Sequence, residues 1–369
     1  MTDNHHRKIS RRDFIKLAAA TGLLAGCSPV GVADVTSKPP TTTPLPTEPP
    51  LPTPTAAPTV VVADPGEIAR AAAGLGTVVQ THHAGVWNGD TLSPEALQQM
   101  LDASITELTG LNDAVEAWAS LFMPDERVAI KVNAVRGGIT HPALVLAVAD
   151  RLQAAGLPAE QIVIFDRNTA ELADAGYEIN QDGPGVRCYG SGEDWGKAGN
   201  YSGRWSLIDD NIKMSDILLA CDALINIPVL KTAVGPGLSF GLKNHYGTFD
   251  IPSRFHGHLF RRGIAELNAL PPIKDRTRLT IGDVLTTESS VGGLDRYRMV
   301  AGDSRILMSF DPVAHDAVGL QLGEADLTAA GFNPKTILTQ ATYWLETGTE
   351  IGLGVGNVEE IEVREVNLV

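Results

Sequence analysis

RVAIKVN (127–133), THPALVLAVADRLQAAG (140–156) and QIVIFD (161–166) follow one another between Arg127 and Asp166, and their succession decides the fold. The outer two are short, apolar and β-branched, which marks strands. In the middle run Pro142 opens a helix that extends to Ala155, and Gly156 stops it. Strand, helix and strand in so short a stretch form a βαβ unit, whose parallel strands need a right-handed crossover. Parallel strands end on the same side. Lys131 and Asn133 close the first, and Asp166 and Asn168 close the second. In open α/β sheets that edge is where ligands sit.

The pattern continues outward. DALINIPVL (222–230) reads as a third strand running into Lys231, Leu279 to Leu285 as a fourth carrying Asp283, and Arg305 to Phe310 as a fifth. Asp311 and Pro312 are placed as N-cap and first turn of a helix over Val313 to Leu322. A helix over 335–347 and a strand over 360–366 complete the series. Upstream, Leu97, Leu101, Ile105, Leu108, Leu111, Val115 and Trp118 recur every three or four residues, which predicts one amphipathic helix over 95–119 with Ser93 as N-cap. Tyr177 to Asp210 is glycine-rich and irregular, and Ile212 to Leu219 reads as a short helix. The expected fold is α/β: an open, mainly parallel sheet with helices on both faces, forming a single large domain over residues 60–369.

Residues 1–27 read as an address. Ser10-Arg11-Arg12-Asp13-Phe14-Ile15-Lys16 fits the twin-arginine pattern, and a mildly apolar stretch follows that is shorter than the roughly 20 residues a membrane span needs. Leu24-Ala25-Gly26-Cys27 resembles a lipobox, which makes Cys27 the lipidation site and the membrane, through that anchor, a partner. These features imply export by the twin-arginine translocase and an extracytoplasmic location, lipid-anchored to the membrane. Cleavage at an ordinary small-residue site, without lipid, is the rival reading. Residues 28–59 form a Pro/Thr-rich linker: Pro39 to Pro58 holds nine prolines in twenty residues. Such a segment favours polyproline II and acts as a semi-rigid spacer, with a reach from Thr41 to Pro58 on the order of 55 Å.

Hydrophobic residues at 43% and charged residues at 20% fit a globular domain. Without the residues preceding Cys27 there remain 24 Lys and Arg against 42 Asp and Glu, a net charge of −18. Such a surface repels phosphate backbones, so no nucleic-acid partner is expected. Beyond Cys27 the only cysteines are Cys188 and Cys221, and there is no C-x-x-C. That excludes an iron–sulfur cluster held by this chain and a thiolate zinc site. A disulfide formed outside the cytoplasm is the rival to the favoured reading of the pair as two inert core thiols.

Six segments in order resemble the bacterial and archaeal family known as domain of unknown function 362: VAIKVN (128–133), THP (140–142), IVIFD (162–166), INIPVLKT (225–232), GLKNHYG (241–247) and FDPVAHDAVG (310–319). The likeness runs from about Val128 to the C-terminus. It implies an α/β domain whose activity is largely unassigned. Some relatives carry an appended ferredoxin-like domain. Where relatives tend to show Lys-Thr-His, this chain has Lys231-Thr232-Ala233, so no role of that histidine carries over.

The chemistry-bearing residues gather at the expected strand edge. Lys131 and Lys231 lie in or beside apolar strands, where an ammonium needs a partner. With Asn133, Asn226, Lys243 and Asn244 they are the candidate anion-binding set. The bland alternative is a group of structural salt bridges. His245, Asp166 and Asp283 are the candidate catalytic residues, His245 moving a proton and an aspartate orienting a base. His256 and His258 are candidate metal ligands, because at i and i+2 of a strand they would share a face, with His245, Asp166 or Asp283 as further ligands. The rival reading is an exposed loop pair near Arg254, Arg261 and Arg262, whose positive charge disfavours a cation. A metal or other cofactor thus stays open, its identity unknown. His82-His83 and His141 read as capping or surface residues, and His315 with Asp316 as packing. G-x-S-x-G is absent, so serine-hydrolase chemistry has no support. Two functions remain: an enzyme acting on a small anionic substrate, or a lipoprotein that binds a ligand or partner without turnover.

Overall fold

The computed structural model describes residues 74–369 apart from 136–137, 195–196, 234 and 290–303. The signal segment, Cys27 and the proline-rich linker lie outside the described residues.

Among the described residues ten strands share one sheet. They are β1 (Thr77–His83), β2 (Val128–Lys131), β3 (Ile162–Phe165), β4 (Arg187–Cys188), β5 (Ala223–Asn226), β6 (Val229–Ala233), β7 (Gly237–Ser239), β8 (Thr277–Ser289), β9 (Arg305–Ser309) and β10 (Glu362–Leu368). The order is β10-β1-β9-β8-β5-β2-β3-β4, with β6 pairing both β8 and β7. Along that path only β9 runs against its neighbours; β8, β5, β2, β3 and β4 are parallel throughout. The α/β fold with a mostly parallel sheet is therefore present.

The strands are apolar on both sides because both faces are covered. Val128 and Ile130 of β2 pack in one core, whereas Ala129 between them packs in the other. Ile162 and Ile164 likewise face away from Val163 and Phe165. Helices α1 (Pro94–Thr109) and α2 (Pro142–Ala154) cover the first face. The second is covered by α3 (Gly241–Asn244), α4 (Phe260–Asn268), α5 (Pro312–Ala329) and α6 (Pro334–Glu350).

Several local expectations are borne out. Ser93 accepts a hydrogen bond from the Ala96 amide, and Asp311 from those of Val313 and Ala314, as N-caps do. Cys188 and Cys221 are buried free thiols, each pushed up to about 12 by burial.

Others are corrected. The single helix over 95–119 is two: α1 ends at Gly110, which takes φ 74°, and a second helix spans Ala114–Ala119. A left-handed glycine ends a helix readily, so periodicity alone overran the cap. Leu111 and Val115 are accordingly exposed. The third strand is divided at Pro228 into β5 and β6, since proline donates nothing to a ladder. Residues 210–215 form a strand paired with Tyr201–Leu207, and only Asp216–Leu219 is helical. His82 and His83 are not surface caps but the end of β1, with His83 buried against Gln99.

Candidate functional site: a cationic cavity at the strand ends

The carboxyl ends of β2 and β3 open into a cavity of about 560 Å³. Lys131, Asn133, Asp166, Lys231, Lys243 and Asn244 all line it, joined by Arg167, Tyr246, His256 and Phe260. Five of the six candidate anion-binding residues thus share one space. Arg167, Tyr246 and Phe260 went unnoticed in the sequence. For Arg167 a signal existed, since it directly follows Asp166 at a strand end.

Lys131 sits at the bottom of the network. Its Nζ lies 2.7 Å from Asp166 Oδ1, and it donates to Val132 O (2.6 Å) and Asn244 Oδ1 (3.3 Å). Burial drives its pKa below the ordinary lysine value although Asp166 pulls the other way. The other oxygen of Asp166 accepts from the Ala134 amide at 2.7 Å. Gly247 is what lets the pair sit there: a Cβ on it would lie 2.3 Å from Asp166 Oδ1 and 2.8 Å from Lys131 Nζ.

Asn244 extends the network. Its amide nitrogen donates to Asn226 Oδ1 (2.8 Å) and to Lys131 O (3.3 Å), while Asn226 Nδ2 donates to Gly241 O at 2.9 Å. Asn226 is buried beneath the cavity and does not line it. Lys231 Nζ donates to Gly138 O (2.9 Å) and Asn133 Oδ1 (3.2 Å). Arg167 donates to Phe249 O and Asp250 O, each at 2.9 Å.

Lys243 differs from its neighbours. It is half-buried, and its Nζ stands 3.6 Å from the centre of the Tyr246 ring and 5.5 Å from that of Phe260. Among the described residues no carboxylate pairs with it. Burial, then the charges of Lys231 and Lys131, lower its pKa to about 7.

Two of the three candidate catalytic residues stand elsewhere. His245 is fully buried and outside the cavity lining; burial and Lys131 lower its pKa to about 3, and its Nδ1 has no hydrogen-bond partner among the described residues. Such an imidazole is neutral at ordinary pH and sealed from solvent. Asp283 is buried and accepts from both the amide and the Nδ1 of His141 at 2.8 Å. It thereby fastens the start of α2 to the sheet. Thr140 completes the clasp through its Oγ1, which donates to Ile227 O at 2.8 Å and accepts from the Asn133 amide. Only Asp166 of the catalytic set reaches the cavity.

The metal reading loses its geometric premise. His256 links two 3₁₀ turns and Gly257-His258 lies in the second, rather than on a strand, so the two imidazoles need not share a face. His256 lines the cavity and packs against Phe260 at 4.9 Å, whereas His258 lines a separate surface depression with Arg261. Among the described residues no three His, Cys, Asp or Glu side chains gather as a metal site requires.

The site belongs to an α/β protein with a cationic cavity at its strand ends. By its match to the family model described as domain of unknown function over residues 128–321, the chain is a member of the domain of unknown function 362 family. Curated proteins offer no match. Among solved structures, a Thermotoga maritima protein is similar at 13% identity and a TM-score of 0.40, covering 67% of this chain and 61% of its own. The lactate racemase apoprotein of Thermoanaerobacterium thermosaccharolyticum follows at 11% identity and 0.34, covering 62% and 55%. This chain therefore spans less than two thirds of either.

Proposed function

We propose that the chain is an exported, lipid-anchored α/β protein whose cavity binds a small anionic substrate and acts on it as an enzyme. One observation carries this reading. Among the described lining residues, Lys131, Lys231, Lys243 and Arg167 face one space that holds a single carboxylate, Asp166. That carboxylate is already engaged by Lys131 and the Ala134 amide. A desolvated cationic excess favours an anion, and a volume of about 560 Å³ suits a metabolite rather than a macromolecule.

The division of labour follows from the contacts. Lys231 and Arg167 supply fixed positive charge, Asn133 and Asn244 supply amide dipoles, and Lys243 supplies an amine able to hold or release a proton near neutrality. A metal ion has no place in this account, because His256 stands among cationic neighbours and its presumed partner faces elsewhere. The twin-arginine pattern and the lipobox ending at Cys27 support export and anchoring. Among the described residues no helix is long and apolar enough to cross a membrane, which is compatible with an anchor.

Purification of the full chain from a host with a twin-arginine translocase tests the reading. Bound small molecules are extracted and identified by mass spectrometry. A near-equimolar carboxylate or phosphate compound, released by Lys231→Met, is the expected result. A chain that carries no anion, and whose melting is unmoved by carboxylates and phosphates, overturns it. For the anchor, Cys27→Ala is expected to move the protein from the membrane to the soluble extracytoplasmic fraction.

A further inference from the structure

The three lysines of the cavity are not equivalent. Lys131 spends its donors on Asp166, Val132 O and Asn244, and Lys231 donates to Gly138 O and Asn133. Among the described residues Lys243 has neither a hydrogen bond nor an ion pair; its contacts are the faces of Tyr246 and Phe260. Asp166, the one described carboxylate lining this space, has one oxygen on Lys131 and the other on the Ala134 amide.

An ammonium held there has only the ring faces of Tyr246 and Phe260 to compensate it, against burial and two like charges nearby. The amine escapes that cost by giving up its proton, and a neutral amine in a cavity is a nucleophile. An anion held by Lys231 and Arg167 would present its neighbouring carbon to this amine.

We propose that Lys243 is an imine-forming residue, which takes the carbonyl carbon of a small anionic aldehyde or ketone of the oxo-carboxylate class. The inference rests on the anion-binding reading above and names the substrate class. The amine lone pair forms the C–N bond, the two amine hydrogens leave with the carbonyl oxygen as water, and C=N replaces C=O. No oxidant or reductant is consumed. Protonated from solvent, the imine becomes an iminium that withdraws electrons from the adjacent carbon, which suits proton removal or carbon–carbon cleavage next to the former carbonyl.

Glyoxylate with cyanoborohydride at pH 7 tests this on the full chain, with adducts located by peptide mapping. An unshifted lysine is about one part in several thousand neutral at that pH, whereas one with a pKa near 7 is about half neutral. The expected result is reductive alkylation of Lys243 at least tenfold faster than of the exposed Lys213 and Lys335, slowed by glycolate, which has the anion but no carbonyl. Lys243→Arg should remove the labelling, and glycolate should raise the melting temperature of the wild-type chain. Labelling spread evenly over exposed lysines, with that glycolate response intact, overturns imine formation and leaves anion binding standing. Absence of any glycolate response in the wild-type chain defeats the anion reading itself.

Discussion

Lys131 Nζ and Asp166 Oδ1 lie 2.7 Å apart with almost no solvent at either side chain, and Gly247 is the residue that leaves room for them. Breaking a buried pair by removing one partner costs about 3–5 kcal/mol, because the other charge is left uncompensated. Lys131→Met and Asp166→Leu should each destabilise the domain by about that much. The double variant should recover a substantial part. Urea denaturation of the three variants checks this, and equal additive losses would speak against a coupled pair.

Gly247→Ala should be nearly as harmful as breaking the pair. The added Cβ would fall 2.3 Å from a carboxylate oxygen whose partner is fixed, so either the ion pair or the backbone must shift. A loss of about 2 kcal/mol or more, with reduced anion affinity, is the expected outcome in denaturation and titration calorimetry. Gly85→Ala is a suitable contrast, because its Cβ would meet only the His83 ring at 3.3 Å.

Asp311 ties three segments together. Its carboxylate accepts from the amides of Val313 and Ala314 at the start of α5, from Gly76 before β1, and from Val355 near the C-terminus. Asp311→Ala removes a cap worth about 1 kcal/mol and leaves buried donors unmet at about 1–3 kcal/mol. Hydrogen exchange in Asp311→Ala should accelerate at both Gly76 and Val355, far apart in sequence. Acceleration at α5 alone would contradict the joint role.

The pH dependence has a definite sign. Lys243 has its folded pKa near 7, below its ordinary value of 10.5, so between those values the folded chain binds fewer protons than the unfolded one. Stability should therefore rise with pH through that window, and the cost of the buried ammonium should be fully present below pH 7. Lys131 acts in the same direction. Thermal melting from pH 7 to 9.5 should show a shallower rise in Lys243→Met than in the wild type. An identical slope would mean that Lys243 stays charged.

The frame of the fold was legible because its signals are local. The βαβ unit announces itself through two short apolar runs around a Pro142-to-Gly156 helix, and Asp311-Pro312 marks a helix start by chemistry alone. The convergence of Lys131, Asp166 and Lys231 was legible too, since parallel strands deliver their ends to one edge; Lys243 reaches the same cavity from α3. What sequence did not show is which way a polar side chain turns. His245 stands in the same motif as Lys243 and Asn244, and Asp283 on a strand of the same sheet, yet Asp283 clasps His141 and His245 is sealed in the core. Both outcomes depend on packing between segments remote in sequence. β1 escaped notice because His82 and His83 lend its end a polar face that burial against Gln99 and Ser304 satisfies. The helix over 95–119 failed at Gly110, where a backbone conformation outweighs the apolar period.

Calorimetric titration of the full chain at low salt with glycolate and with inorganic phosphate, repeated on Lys231→Met/Lys243→Met, tests the central claim most directly. Convergent ammonium groups predict saturable one-to-one binding of at least one of these anions by the wild-type chain, weakened at least tenfold in the double variant while its fold is retained. Binding of equal strength in both proteins, or none in the wild type, would contradict it.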